Sequence, residues 1–194
     1  MGSPVCKGGA FSACLWYNVQ HVLKDERREI FMILYMDTRQ QEGKHELKIQ
    51  YWKSQGIELV TKKLDYGDYM LEGNDTLSID TKKDFTEIEG NLIHDHKRLV
   101  RECDRAEEAG VRLIFVVENE CGICNLAQVD SWQNPRYWAW KFKHDRGYKG
   151  KECTSGPKLR RIMETFERRH NATFLFTSPE QSGRLVLDLL RQDQ

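Results

Sequence analysis

Hydrophobic positions along the chain fall into short stretches separated by charged or turn-forming residues. Residues 31–36, FMILYM, form a continuous apolar run of the kind found in strands buried on both faces, and the run stops at Asp37. Asp37 is therefore expected at the carboxyl end of a strand. Residues 45–55 suit a helix stopped by Gly56, and residues 57–64 alternate like a strand. Residues 67–71 and 77–81 are predicted as two short strands, with EGNDT between them supplying a hairpin turn. Asp84 or Thr86 is a candidate helix cap. Residues 94–109 have helical spacing, placing Leu99, Cys103 and Ala106 on one side with Gly110 as the stop. The run VRLIFVVE (111–118) reads as another buried strand, and 121–157 is irregular, Trp-rich and basic. A helix over 158–169, a strand over 172–177 and a helix over 179–190, opened by Ser178-Pro179, complete the pattern. Alternating strands and helices predict an α/β fold with a central mixed β-sheet flanked by helices.

At 194 residues the chain can bury one proper core, so a single domain with appended pieces is expected. The organisation expected is an N-terminal extension of uncertain order (1–29), a core (30–120), a basic aromatic-rich insertion (121–157), and a C-terminal helix-strand-helix (158–194) completing the same domain. Three readings of the extension stand open: a partner-binding or self-docking helix, a frayed tail, or sequence upstream of an internal start at Met32 or Met36. The longest apolar runs fall far short of the roughly 20 residues of a membrane-spanning helix. The first thirty residues lack a secretory signal pattern, so a cytoplasmic location is expected. The six cysteines are accordingly read as reduced thiols.

A net charge of zero argues against a nucleic-acid partner until its distribution is considered. Residues 136–161 hold nine Lys or Arg against two acids, a balance of +7, residues 162–194 come to −1, and residues 1–135 carry −6. An acidic body suited to cations is joined to a basic segment suited to phosphates.

Phosphodiester hydrolysis calls for a cation that polarises the phosphate and acidifies an attacking water, and for a positive group that steadies the developing charge. Mg²⁺ is a hard ion that takes oxygen ligands and keeps several waters, so one or two carboxylates suffice to hold it. Asp68 opens one strand of the predicted hairpin and Asp80 lies near the end of the other, which brings the two towards one end of the sheet. Lys82 follows Asp80 by two positions, so the two share a strand face. Thr81, between them, offers its backbone carbonyl to a metal. D-x-K alone is a weak pattern; its weight comes from Gly67-Asp68-Tyr69 ahead of it and from the strand ending in Asp37.

In these segments the sequence resembles the nuclease domain of the XPF-type structure-specific endonucleases, a branch of the PD-(D/E)XK superfamily with a restriction-endonuclease-like core, as small phage or bacterial members carry it. Over residues 31–120, Asp37-Thr38-Arg39-Gln40 is similar to that family's D-x-R-E segment, Gly67-Asp68-Tyr69 matches its G-D-Y, and Asp80-Thr81-Lys82 resembles the start of its E-R-K-x-x-x-D. The departures are Gln40 in place of an acid, Asp80 in place of Glu, and a final acid out of register, with Asp84 and Glu87 flanking Thr86. The resemblance implies Asp68 and Asp80 as ligands of Mg²⁺ or Mn²⁺ and Lys82 as the cation that orients water. It implies Asp37 as a further ligand or its support, and Arg39 as a holder of the site or a phosphate. It also implies a bacterial or phage-encoded setting, and homodimers.

Lys97, Arg98 and Arg101, in a helix similar to one beside the site in small family members, are candidates for phosphate contact, against a solvated helix face. The family's helix-hairpin-helix module is not seen. Instead Trp138, Trp140, Phe142 and Tyr148 interleave with Arg136, Lys141, Lys143, Arg146 and Lys149. This is either an arm that stacks on unpaired bases and neutralises phosphates, or a segment whose aromatics pack on the core. Cys121, Cys124, His144 and Cys153 supply enough ligands for zinc at a spacing that matches no compact zinc module. Glu118 is open between support of the site and a plain surface acid. The leading expectation is a metal-dependent endonuclease acting on branched, flapped or duplex DNA. Its rivals are a catalytically degenerate DNA-binding subunit that guides a partner nuclease, and a zinc-stabilised adaptor.

Overall fold

The computed structural model describes residues 32–39, 45–147, 149 and 153–192. Expectations that fall on residues 1–31, on Gln40 and on Tyr148 lie outside the described residues. In chain order the elements are β1 (Ile33–Asp37), α1 (Glu46–Ser54), β2 (Glu58–Lys62), β3 (Tyr69–Leu71), β4 (Leu77–Lys82), α2 (Phe85–Ile93), α3 (His96–Glu108), β5 (Arg112–Glu118), a 3₁₀ turn (Leu126–Ser131), α4 (Tyr137–His144), α5 (Gly156–His170), β6 (Ala172–Thr177) and α6 (Pro179–Gln192).

The strands make one mixed sheet in the order β2-β1-β3-β4-β5-β6. β1 pairs parallel with β2 and antiparallel with β3, β3 pairs antiparallel with β4, and β4, β5 and β6 run parallel. Five strands thus point one way and β3 alone runs against them. The carboxyl ends of β1, β4 and β5 and the start of β3 gather on a single edge, the place where open α/β sheets receive ligands.

β5 shows why the sheet is buried on both sides. Its Leu113, Phe115 and Val117 pack with Phe85, Leu99, Met163 and Phe166 from α2, α3 and α5. Its Ile114 and Val116 pack with Trp52, Val186, Leu187 and Leu190 from α1 and α6. Period-two alternation across two apolar layers yields the continuous hydrophobic run seen in the sequence. No helix among the described residues is long and apolar enough to cross a membrane.

Two regions differ from expectation in detail. The helix expected over 94–109 is preceded by a separate helix, α2, capped by Asp84, whose carboxylate accepts from Glu87 N at 2.7 Å, while the Glu87 carboxylate accepts from Lys83 N at 3.0 Å. The irregular stretch over 121–157 contains the 3₁₀ turn and α4. The base of this excursion is pinned: Asn134 Nδ2 donates to Thr154 O at 3.1 Å, twenty residues on, and Asn134 Oδ1 accepts from Arg136 N at 2.9 Å. Beside it, a Cβ on Gly156 would lie 2.4 Å from Val129 O, so only glycine fits there.

Candidate active site

The turn into β3 is set by Gly67. Its φ of +66° is costly for any residue with a side chain, and an added Cβ would lie 2.2 Å from Ser78 Oγ. Its N–H donates to Glu102 Oε1 at 3.1 Å, reaching across from α3, while Asp68 N donates to Ile79 O at 2.7 Å. The turn is therefore clamped from the strand side and from the helix side, which fixes where the next carboxylate points. Asp68 Oδ2 accepts from Thr81 N at 2.8 Å and from Thr81 Oγ1 at 3.1 Å.

Asp80 and Lys82 lie on one face of β4, as the period of two requires, with Lys82 Nζ 2.6 Å from Asp80 Oδ1. Both are almost completely buried. The contact is a close buried ion pair. Burial alone would lower the Lys82 pKa, but the Asp80 and Asp68 charges outweigh it and hold the ammonium above its ordinary value. Asp68 keeps an exposed edge yet is so closely surrounded by protein that desolvation, followed by the Asp80 charge, raises it to about 7 against the pull of Lys82 and Thr81.

Asp68, Thr81 and Lys82 open into a cavity of about 630 Å³, whose wall also includes Arg39, Lys48, Glu118 and Arg136. Asp37 lies at the end of β1 but is turned into the protein. Its Oδ1 accepts from Leu64 N at 3.0 Å and its Oδ2 from Arg39 Nε, while Arg39 Nη2 donates to Leu64 O at 3.0 Å. The Asp37–Arg39 pair thus ties the end of β1 to the chain leaving β2 and leaves the Arg39 guanidinium facing the cavity.

Three participants have no motif in the sequence. Lys48 of α1 and Glu118 at the end of β5 form a buried ion pair on the cavity wall, and Ser182 Oγ of α6 donates to the same Glu118 oxygen at 2.7 Å. Glu118 is thus neither a free surface acid nor adjacent in sequence to its partners. Glu102, which fixes Gly67, also accepts from Arg98 Nη1 at 3.4 Å, so Arg98 is held within its own helix. Lys97 and Arg101 are exposed on α3.

The arm divides between the two readings. Trp132 is core, packed 5.8 Å from Phe85, whereas Trp138 is 70% and Phe142 59% exposed. Lys141 lies over the Trp138 ring and Arg146 over the Phe142 ring, Lys143 and Lys149 are exposed, and Arg136 Nη1 reaches to 3.8 Å of buried Glu89 Oε2 on α2. Arg136 thereby roots the arm at the cavity.

Among the described residues, no group of three or more His, Cys, Asp or Glu is placed to hold a metal ion, and Cys121 and Cys124 are exposed thiols bonded to Asn119 Oδ1 and Gly122 O. The acids at the strand ends are Asp68, which faces the cavity, and Asp80, buried against Lys82. Burial first, and the Asp80 charge second, raise Asp68, and such oxygen donors suit a hard divalent cation that brings its own waters.

No protein-family model matches the sequence, and no curated protein matches it. The fold does match solved structures. XPF from Aeropyrum pernix in complex with DNA superposes with a TM-score of 0.55 at 17% identity, and a second structure of XPF from Aeropyrum pernix gives 0.54 at 17%. In each case the match covers 82% of this chain and 64% of the other. The chain therefore shares the fold of these XPF structures, a mixed six-stranded sheet flanked by helices consistent with a restriction-endonuclease-like core, and spans less than two thirds of the length of those proteins.

Proposed function

We propose that the protein is a divalent-cation-dependent endonuclease that hydrolyses phosphodiester bonds in branched or flapped DNA. The observation that carries this reading is that Asp68 and Lys82, with Asp80 buried against the Lys82 ammonium, meet at the strand ends beside a cavity walled by Arg39 and Arg136. The XPF from Aeropyrum pernix of the same fold, solved with DNA, supports a DNA substrate. Asp68, Asp80 and the Thr81 carbonyl would hold Mg²⁺ or Mn²⁺, which when bound polarises the phosphate and lowers the pKa of water.

The remaining roles follow from the protein's own groups. Lys82, held charged by the two carboxylates, cannot serve as a base; it donates hydrogen bonds that orient the attacking water and steadies negative charge on the phosphate. Arg39 and Arg136 neutralise the flanking phosphates, and Asp37 acts as a positioning residue through Arg39 and Leu64. Exposed Trp138 and Phe142, flanked by Lys141, Lys143, Arg146 and Lys149, offer stacking faces to unpaired bases at a branch.

The test is to incubate the full chain with flap, fork, four-way and plain duplex DNA and Mn²⁺. Cleavage of branched substrates by the wild type, lost in Asp80→Ala, is expected; no cleavage of any substrate, or undiminished cleavage by the variant, overturns the reading. A degenerate subunit that guides a partner nuclease is favoured by one observation, that Asp37's oxygens are occupied by Leu64 and Arg39 rather than directed to the cavity. Calorimetry separates the two, because a degenerate site takes up no Mn²⁺ while DNA binding survives.

A further inference from the structure

A second basic feature lies away from the strand-end cavity and shares no residue with it. Between α3 and α5 is a groove of about 330 Å³, walled by Lys158, Arg161, Thr165, Arg169, His96 and His170 over an apolar floor that includes Phe166. No carboxylate lines it. The nearest acid with a contact is Asp104, 3.9 Å from His170.

Exposed cations on a helix are usually matched by acids a turn away, and α5 has two candidates that are both committed elsewhere. Glu164 pairs with Arg160, which also binds Asp130 at 2.7 Å, and Glu167 accepts from Phe174 N at 2.7 Å. The Arg161 guanidinium donates to Pro157 O, on its own helix, at 3.2 Å and makes no ion pair among the described residues. Lys158 and Arg169 make no ion pair among the described residues. Three cations therefore project into one groove with their charge uncompensated, an arrangement that repels itself and attracts an anion.

Their spacing selects the kind of anion. Positions 158, 161, 165 and 169 recur at helical intervals and make one stripe along α5, about 16 Å from end to end at 1.5 Å per residue. A single phosphate ion would call for charges focused on one point. A stripe matches a polyanion, and 16 Å corresponds to roughly five nucleotide steps of a B-form strand.

We infer that the α3–α5 groove is a second, non-catalytic binding site for the phosphate backbone of a DNA duplex, engaged by Lys158, Arg161 and Arg169. The inference rests on the proposed DNA substrate and adds to it a handhold on the duplex that shares no residue with the strand-end cavity. Such a handhold sets orientation without reading sequence.

The test uses the full chain in EDTA, with duplex binding measured against salt concentration. For the triple variant Lys158→Ala/Arg161→Ala/Arg169→Ala, three fewer phosphate contacts should flatten the slope of log affinity against log salt by roughly 2.7, with binding at moderate salt weakened at least about tenfold. A control triple on α1 and α6, Lys53→Ala/Arg184→Ala/Arg191→Ala, removes the same charge from exposed positions and should leave the slope within about 0.5 of wild type. Equal slopes for all three proteins, or equal losses in both triples, overturn the groove assignment. So do saturation of the groove by millimolar inorganic phosphate without competition against duplex, and a change of oligomeric state in the groove variant, which would mark a subunit contact. If the groove variant binds as wild type while Mn²⁺-dependent cleavage persists, only this inference falls; if wild type binds no DNA, the proposed function falls with it.

Discussion

The strand-end cavity and the α4 arm both combine charged and ring-bearing side chains, but in opposite states. In the cavity Lys48, Asp80, Lys82 and Glu118 are buried and each is held by a partner from elsewhere in the chain or across its own strand. In the arm no residue of α4 is buried, and the cations of Lys141 and Arg146 rest on rings of their own helix. Buried charge is costly unless geometry and pairing are fixed, so the cavity's arrangement is made by the fold. Exposed rings and cations are fixed by little, so the arm's arrangement is completed by whatever it touches. One region is preorganised for chemistry and the other is available for adhesion.

The sharpest break in that comparison comes from the cavity. Asp80→Ala should lower cleavage by about 10³-fold or more while DNA affinity stays within a few fold, measured by single-turnover cleavage and binding in EDTA. Parallel losses in both would make Asp80 part of the binding surface instead. Gly67→Ala, which adds a Cβ into Ser78 at an unfavourable φ, should cost about 2–4 kcal/mol in urea unfolding, against about 1 kcal/mol for Gly73→Ala, whose surroundings are open and which meets only the φ strain.

The next effect is a dependence on pH. With Asp68 raised to about 7 in the folded protein and near 3.8 when unfolded, the native state binds the extra proton between these values. Stability of the metal-free protein should therefore decline as pH rises from about 4 to about 7 and then level. Asp68→Asn should remove that decline, leaving the variant more stable than wild type at pH 8 but not at pH 4. Mn²⁺ must displace the same proton, so its affinity should rise about tenfold per pH unit up to about pH 7, followed by calorimetry. The smallest effect belongs to the arm: Trp138→Ala/Phe142→Ala should weaken binding to flapped DNA about tenfold and leave plain duplex almost unchanged. Equal weakening of both would reduce the arm to a patch of charge.

Much of this architecture was legible because packing and sequence period coincide. Residues 172–177 could be placed because their apolar positions face two layers of helix, the hairpin because Tyr69, Leu71, Leu77 and Ile79 alternate onto one, and Asp68, Asp80 and Lys82 because strand period and turn chemistry dictate their side. α4 gave no such signal, since a helix with no buried face has no hydrophobic period to report. α2 was reduced to its cap because His94-Asp95, which divides it from α3, contains neither Gly nor Pro. Lys48–Glu118 and Glu102–Gly67 join positions 70 and 35 residues apart, and pairings of that kind exist only once the sheet has assembled.

The clasp between Asn134 and Thr154 has an engineering consequence. Because Asn134 and Thr154 are tied to each other, the chain between them is a cassette: a short Gly-Ser bridge replacing 137–152 would keep the sheet, the α5 stripe and Arg136 on the cavity wall while discarding the exposed aromatics. Replacing that cassette with a different adhesive segment would, on the proposed function, redirect the same core to another shape of nucleic acid.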